Sequence, residues 1–251
     1  MRENKFKVKV FSNYQALIHS AVAYFIDLAE TSIQERGAFF VALSGGSTPQ
    51  PLYRSLAALH NQARIAWDRV HLFWGDERNV PADHPDSNFR MVNDALIDHV
   101  QIPRKNIHRV PTEMDLWQAA EHYEREMHRV FEEEMPNFDL LLLGMGEDGH
   151  TASLFPHSAG LFEERRWFIA NFAPEKETWR FTLTKNAINS ARNIIVLVRG
   201  HTKAVKLADV FIGSPDPYSK PIQLIEPING QIIWMVEKAS AKHLPSNFQL
   251  E

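Results

Sequence analysis

Three glycines, two acids and a histidine are packed into one short stretch of this chain, Gly144-Met145-Gly146-Glu147-Asp148-Gly149-His150. It follows directly on Phe138-Asp139-Leu140-Leu141-Leu142-Leu143, which reads as a buried strand. In an open α/β sheet, ligands bind outside the carboxyl ends of the strands. Glycine at such a turn lets the backbone approach a small ligand closely. A histidine placed there can move a proton near neutral pH. Asp148 either orients the His150 ring or caps a helix that follows.

A second stretch, Ser44-Gly45-Gly46-Ser47-Thr48-Pro49, ends the apolar run Ala38-Phe39-Phe40-Val41-Ala42-Leu43. Exposed backbone N–H groups, the hydroxyls of the loop and a helix N-terminus together suit a phosphate. The same residue types also build an ordinary tight strand-to-helix turn. It is neither a Walker loop nor the Gly-x-Gly-x-x-Gly dinucleotide fingerprint. A third stretch, Gly75-Asp76-Glu77-Arg78, follows Arg69-Val70-His71-Leu72-Phe73-Trp74 and reads as a charged loop after a strand. Its two acids point in different directions, so one faces the site while the other pairs with a neighbour. Arg78 suits bidentate binding of a carboxylate or phosphate. Spacing alone leaves Arg180 and Lys203 open as phosphate contacts or surface cations. The 12 histidines include no His-x-x-x-His or His-Glu-x-x-His pattern, so a metal-free site is expected.

These turns need strands and helices to hold them. Lys5–Phe11 alternates as a half-covered strand, and Ser12 or Asn13 caps a helix running towards Gly37. Further helices are expected near Gln50–Leu59, with proline in the first turn, and from Ser87 through Val100. A long amphipathic helix is expected over Asp115–Glu134. Strands are read at Trp167–Phe172, Arg180–Thr184, Asn193–Val198 and, last, Gln231–Val236, with a helix from Lys203 to about Phe211. The proline-rich stretch Ser214–Pro227 reads as an ordered loop with a short helix. Strands alternating with helices predict an α/β fold, a mostly parallel sheet with helices on both faces.

A length of 251 residues fits one large α/β domain, or at most two small ones, and 44% hydrophobic residues suffice for a core. No linker or repeat divides the chain, so residues 1–251 read as a single domain. The net charge of −4 is spread without a basic stripe, so no nucleic-acid partner is expected. The absence of cysteine excludes disulfides and thiol nucleophiles. No apolar run approaches the ~20 residues that span a bilayer. Met1–Lys7 lacks the apolar core of a signal peptide, so a cytoplasmic location without a membrane partner is the expectation. Monomer and homodimer stay equally open.

The three turns, in this order, with Val80-Pro81 and Ser87-Asn88 after the second, Thr151-Ala152-Ser153-Leu154-Phe155-Pro156 after His150, and then Arg180-Phe181-Thr182-Leu183-Thr184, resemble the 6-phosphogluconolactonase family of the deaminase-like type. The resemblance covers most of the chain and implies a Rossmann-like sheet, also shared by glucosamine-6-phosphate deaminases. It implies hydrolysis of a sugar-phosphate lactone without metal or cofactor. His150 would be the general base acting on water, since an ordinary imidazole titrates near ~6.5, with Asp148 orienting it. Asp76 matches an active-site acid of the superfamily. Gly45, Gly46, Ser47 and Thr48 match the sugar-phosphate loop, and Arg78, Arg180 and Lys203 are the cationic candidates.

Two other readings share this fold. An amino-sugar phosphate deaminase or isomerase needs a proton shuttle, and the resemblance implies a further glutamate shortly after the histidine in such enzymes, in a Phe-Asn-Glu-Pro pattern. Here Phe155 stands where that glutamate would be, and a phenylalanine relays no proton. A non-catalytic sugar-phosphate sensor would bind the same ligands without turnover.

Overall fold

The computed structural model describes residues 6–245 and 249–250. Its chain begins with β1 (Phe6–Phe11), Lys5 of the expected strand lying outside the described residues, as do the first residues of the Met1–Lys7 segment. There follow α1 (Tyr14–Arg36), β2 (Phe39–Leu43), α2 (Gln50–Ala57), α3 (Leu59–Gln62) and β3 (Val70–Trp74). The Asn13 side chain caps α1 by accepting from the Ala16 N–H at 3.0 Å. Gly37 ends α1 in the left-handed region, at φ 80°. The helix expected over Gln50–Leu59 breaks at Ala58, whose backbone is extended.

β4 (Asp76–Arg78) comes next, then α4 (Asn88–Ala95), α5 (Leu116–Phe131) and β5 (Leu140–Gly144). Next are β6 (Phe168–Ala173), β7 (Thr178–Leu183), α6 (Lys185–Asn189) and β8 (Asn193–Val198). The chain continues through α7 (Ala204–Ile212), β9 (Gln231–Glu237) and β10 (Gln249–Leu250). Gln231–Val236 is therefore not the last strand, and α4 stops short of Val100 in a 3-10 turn over Ile97–His99. Within Ser214–Pro227 the short helix is a 3-10 turn, Pro221–Leu224.

Two sheets result. The larger has seven strands, all parallel, in the order β10-β1-β9-β8-β5-β2-β3. Its strands alternate strictly between two cores. Leu140 and Leu142 of β5 join Val41, Leu43, Leu72 and Trp74 beneath α1, α2 and α4. Leu141 and Leu143 join Phe73, Val196 and Phe181 on the other side, beneath α5. Both faces are thus apolar, which explains the uninterrupted hydrophobic runs in the sequence.

The smaller sheet corrects two expectations. Asp76–Arg78 is a strand rather than a loop, and it pairs antiparallel with β7, which pairs antiparallel with β6. Strands and helices therefore do not alternate between β5 and β7. In place of a helix after His150 the chain makes tight turns, and a 3-10 turn forms at Ala159–Phe162. No helix among the described residues is long and apolar enough to cross a membrane.

Candidate active site

The chain leaves β2 towards β3 in one direction, and leaves β5 towards β8 in the other. Because β2 and β5 are neighbours, a crevice opens between their carboxyl ends, the usual ligand position in such sheets. A cleft of about 250 Å³ lies there. It collects Ser44–Pro49 from β2, Asp76 and Arg78 from β4, Gly144–Gly146 and His150 from β5, and Lys203 beyond β8.

The loop after β2 is fixed from beneath. The buried Tyr53 hydroxyl accepts from the Ser44 N–H at 3.1 Å and donates to the Ser44 carbonyl at 2.8 Å. The Tyr14 hydroxyl donates to the Thr48 carbonyl at 2.5 Å. Gly45 is required by packing, since a Cβ would stand 1.7 Å from Asn88 Oδ1. The Ser44 hydroxyl is buried, has no hydrogen-bond partner among the described residues and belongs to a residue that lines the cleft.

Within the loop after β5, His150 Nδ1 lies 2.5 Å from Asp148 Oδ1, and the same oxygen accepts from the His150 N–H at 3.1 Å. Burial alone would raise the Asp148 carboxyl, but hydrogen bonds and charge from His150 outweigh it and hold it down at about 2. An ionised Asp148 accepts, so the ring proton sits on Nδ1 and Nε2 is left as the basic nitrogen. Gly146 makes room for this pair, because a Cβ there would meet His150 Nδ1 at 2.1 Å. The Phe155 ring packs against the imidazole with centroids 4.5 Å apart, and Lys176 Nζ stands 5.0 Å from the Phe155 centroid.

The two adjacent acids of β4 diverge. Asp76 faces the cleft, where its Oδ2 accepts from the Ser153 hydroxyl at 2.8 Å. Glu77 turns away and accepts from the N–H groups of Arg78, Asn88 and Phe89, each at 2.7 Å, seating the start of α4. Burial pushes the Glu77 carboxyl up despite these donors. Asn88 then donates to the Asp76 carbonyl at 2.9 Å while packing on Gly45.

The cations separate as well. Arg78 lines the cleft and donates to the Asp86 carbonyl at 2.7 Å. Arg180 is its register partner across the β4–β7 ladder, but it does not line the cleft, and its Nη1 donates to Thr178 and the Trp179 carbonyl. Burial and the neighbouring Arg78 charge both push the Arg180 guanidinium down. Lys203 lines the cleft and is lowered by burial, against the opposing pull of Glu147 and Asp148.

Three further residues at the site have no role assigned from the sequence, although Asn88 and Ser153 lie within the blocks that carry the resemblance. Asn88 and Ser153 are buried connectors, and Arg199 at the end of β8 lines the cleft with its Cζ 4.0 Å from the Tyr14 ring centroid. Only the strand end preceding Arg199 hints at its place. Among the described residues, no three His, Asp or Glu side chains are grouped so as to hold a metal ion.

A family model described as glucosamine-6-phosphate isomerases/6-phosphogluconolactonase matches residues 12–234. A Synechocystis sp. protein named 6-phosphogluconolactonase is 41% identical over 242 residues, 95% of this chain and 98% of its own. The solved structure of a 6-phosphogluconolactonase from Thermotoga maritima is 30% identical with a TM-score of 0.80, covering 93% of this chain and 100% of that one. One from Trypanosoma cruzi is 29% identical with a TM-score of 0.85, covering 95% and 96%.

Proposed function

This chain belongs to the glucosamine-6-phosphate isomerase/6-phosphogluconolactonase family, and we propose that it hydrolyses 6-phospho-D-glucono-1,5-lactone to 6-phospho-D-gluconate. The observation that carries the choice is the pairing of Asp148 with His150, with the Phe155 ring rather than an acid beside the imidazole. An isomerase or deaminase has to shuttle a proton between two sugar carbons, and the apolar neighbour supplies no second carrier. Hydrolysis needs one base and a water.

In this reading His150 Nε2 takes a proton from water as the water oxygen bonds to the lactone C1. The C1 carbonyl becomes an oxyanion, to be met by N–H donors of the glycine loops lining the cleft other than Gly146, whose N–H already serves the His150 carbonyl at 2.8 Å. The tetrahedral species collapses, the bond from C1 to the ring oxygen breaks, and His150 returns its proton to that oxygen. The new carboxylic acid releases a proton to solvent. Asp148 holds the tautomer and offsets the imidazolium charge. The phosphate would be bound by the Ser44–Thr48 loop with Lys203 and Arg78. Arg199 would add charge at the same end.

The test is the decay of freshly generated lactone with and without the protein, in a chelator, against the spontaneous rate. Acceleration is expected to survive chelation and to fall by about 10²–10⁴-fold in His150→Ala. Turnover of glucosamine 6-phosphate in place of the lactone would overturn the reading. Binding of 6-phosphogluconate without any turnover would favour the sensor.

A further inference from the structure

A second cavity, of about 450 Å³, lies at the opposite end of β2 and β3, where Gly37, Ala38 and Arg69 precede the two strands. Its wall holds a relay the reaction does not use. His108 is buried, and its Nδ1 lies 2.9 Å from Glu126 Oε1. Its Nε2 lies 3.1 Å from Nδ1 of the half-buried His71. Glu126 is held below the usual carboxylate range by hydrogen bonds from Arg129 and then His108, so it accepts, and His108 donates through Nδ1. His108 Nε2 is then an acceptor, and His71 must donate its Nδ1–H to it. The chain of protons ends at His71 Nε2, which carries a lone pair and has no hydrogen-bond partner among the described residues.

Cations share the cavity wall with His71. Arg69, Lys105 and Arg129 all line the cavity. Arg69 is 3.5 Å from Asp68, and Arg129 is 2.7 Å from Glu126, but Lys105 has no ion-pair partner among the described residues. The volume lies in the range of small-molecule pockets and exceeds what a bare ion fills. We propose that this cavity binds a phosphoryl oxyanion, held by Lys105 with Arg69 and Arg129, and that His71 takes up a proton at Nε2 when the oxyanion enters.

Without a ligand, burial first and then the charges of His108 and Lys105 push His71 down to about 4. The groups facing it are Asp68, Arg69, Lys105, His108, Glu126 and Arg129, drawn from every element packed around the cavity. An entering dianion reverses the sign of the local field and favours the imidazolium. The relay then passes the stabilising influence of Glu126 to the new charge. Binding should therefore tighten as the pH falls from neutral.

Sulfate is the first probe, because its charge is constant between pH 5 and 8. Nitrogen-15 NMR of the histidine side chains reads the site separately from the catalytic cleft. Sulfate should raise the titration midpoint of His71 by about 1 pH unit or more. Lys105→Gln should weaken this response several-fold and leave lactone hydrolysis unchanged. Glycerol 3-phosphate in a parallel titration separates the sources. A tighter response than sulfate identifies an organic phosphate, and an equal one identifies the free oxyanion. A His71 midpoint unmoved by either probe would overturn the proposal. So would a response that persists undiminished in Lys105→Gln.

Discussion

The Ser153 hydroxyl donates to Asp76 Oδ2 at 2.8 Å, one of three bonds by which Ser153 ties the loop that carries His150 to the three-stranded sheet. Ser153 is itself anchored twice more. Its N–H donates to Thr182 Oγ1, and its carbonyl accepts from Asn171 Nδ2. Asp76 is buried, and among the described residues its other oxygen has only the longer 3.4 Å approach of Asn88.

Removing the hydroxyl in Ser153→Ala leaves a buried carboxylate short of its main donor. The expected cost is about 1–3 kcal/mol, read as a lower urea midpoint. In an Asp76→Asn background the same change should cost less, because the charge is gone. Equal costs in both backgrounds would mean that the bond contributes nothing specific.

Gly45 and Asn88 form a steric pair. Gly45→Ala should displace Asn88, weaken substrate binding and lower the unfolding midpoint. Asn88→Ala opens the space, so adding Gly45→Ala to it should be nearly free. The measurement is a double-mutant cycle on stability and KM, expected to give a clear favourable coupling. Strict additivity would contradict the packing described.

The two arginines of the β4–β7 ladder should differ in kind. Arg78→Gln should raise KM for the phosphorylated lactone about tenfold, equivalent to about 1.4 kcal/mol, with a smaller effect on kcat. Arg180→Gln removes a charge that repels Arg78 and does not line the cleft, so its KM should stay within roughly threefold of wild type, a change under about 0.7 kcal/mol. A larger KM effect from Arg180 would assign phosphate binding to it instead.

Acid should unfold the protein in two separable stages. His71 is lowered from its ordinary value of ~6.5, to about 4, by burial and neighbouring positive charge. Between those values the unfolded chain binds a proton that the folded chain refuses, so stability falls as pH drops through that window. Asp148 is lowered to about 2 because its bonds to His150 overcome burial. Its contribution is complete above the unfolded ~3.9 and is lost as pH falls towards 2. Urea midpoints at pH 7, 5 and 3 check this. His71→Gln should flatten the first decline and Asp148→Asn the second.

Much of this architecture is written in local signals. Asn13 and Gly37 mark the two ends of α1, and the apolar runs 38–43, 138–143 and 193–198 mark strands covered on both faces. Two strands of the smaller sheet, β6 and β7, were legible at Trp167–Phe172 and Arg180–Thr184, but the third strand and the antiparallel pairing were not. Asp76–Arg78 is three polar residues whose strand geometry exists only because β7 pairs with it. The Asp-x-His spacing announced a pair, and the structure brings its two side chains to 2.5 Å. Asn88, Ser153 and Arg199 hid their roles for a different reason, although the first two stand inside the motif blocks. Each is a single polar residue whose meaning comes from a partner distant in sequence, such as Asp76, 77 positions before Ser153.

The ring of Phe155, wedged between His150 and Lys176, also bears on how this scaffold can change. A carboxylate introduced there alone would be drawn into an ion pair with Lys176. Such a pair holds its proton state fixed and makes a poor relay. The path from ester hydrolysis to sugar isomerisation on this backbone therefore passes through at least two coupled positions. A mutant library that varies residue 155 while leaving 176 untouched would stop at inactive intermediates.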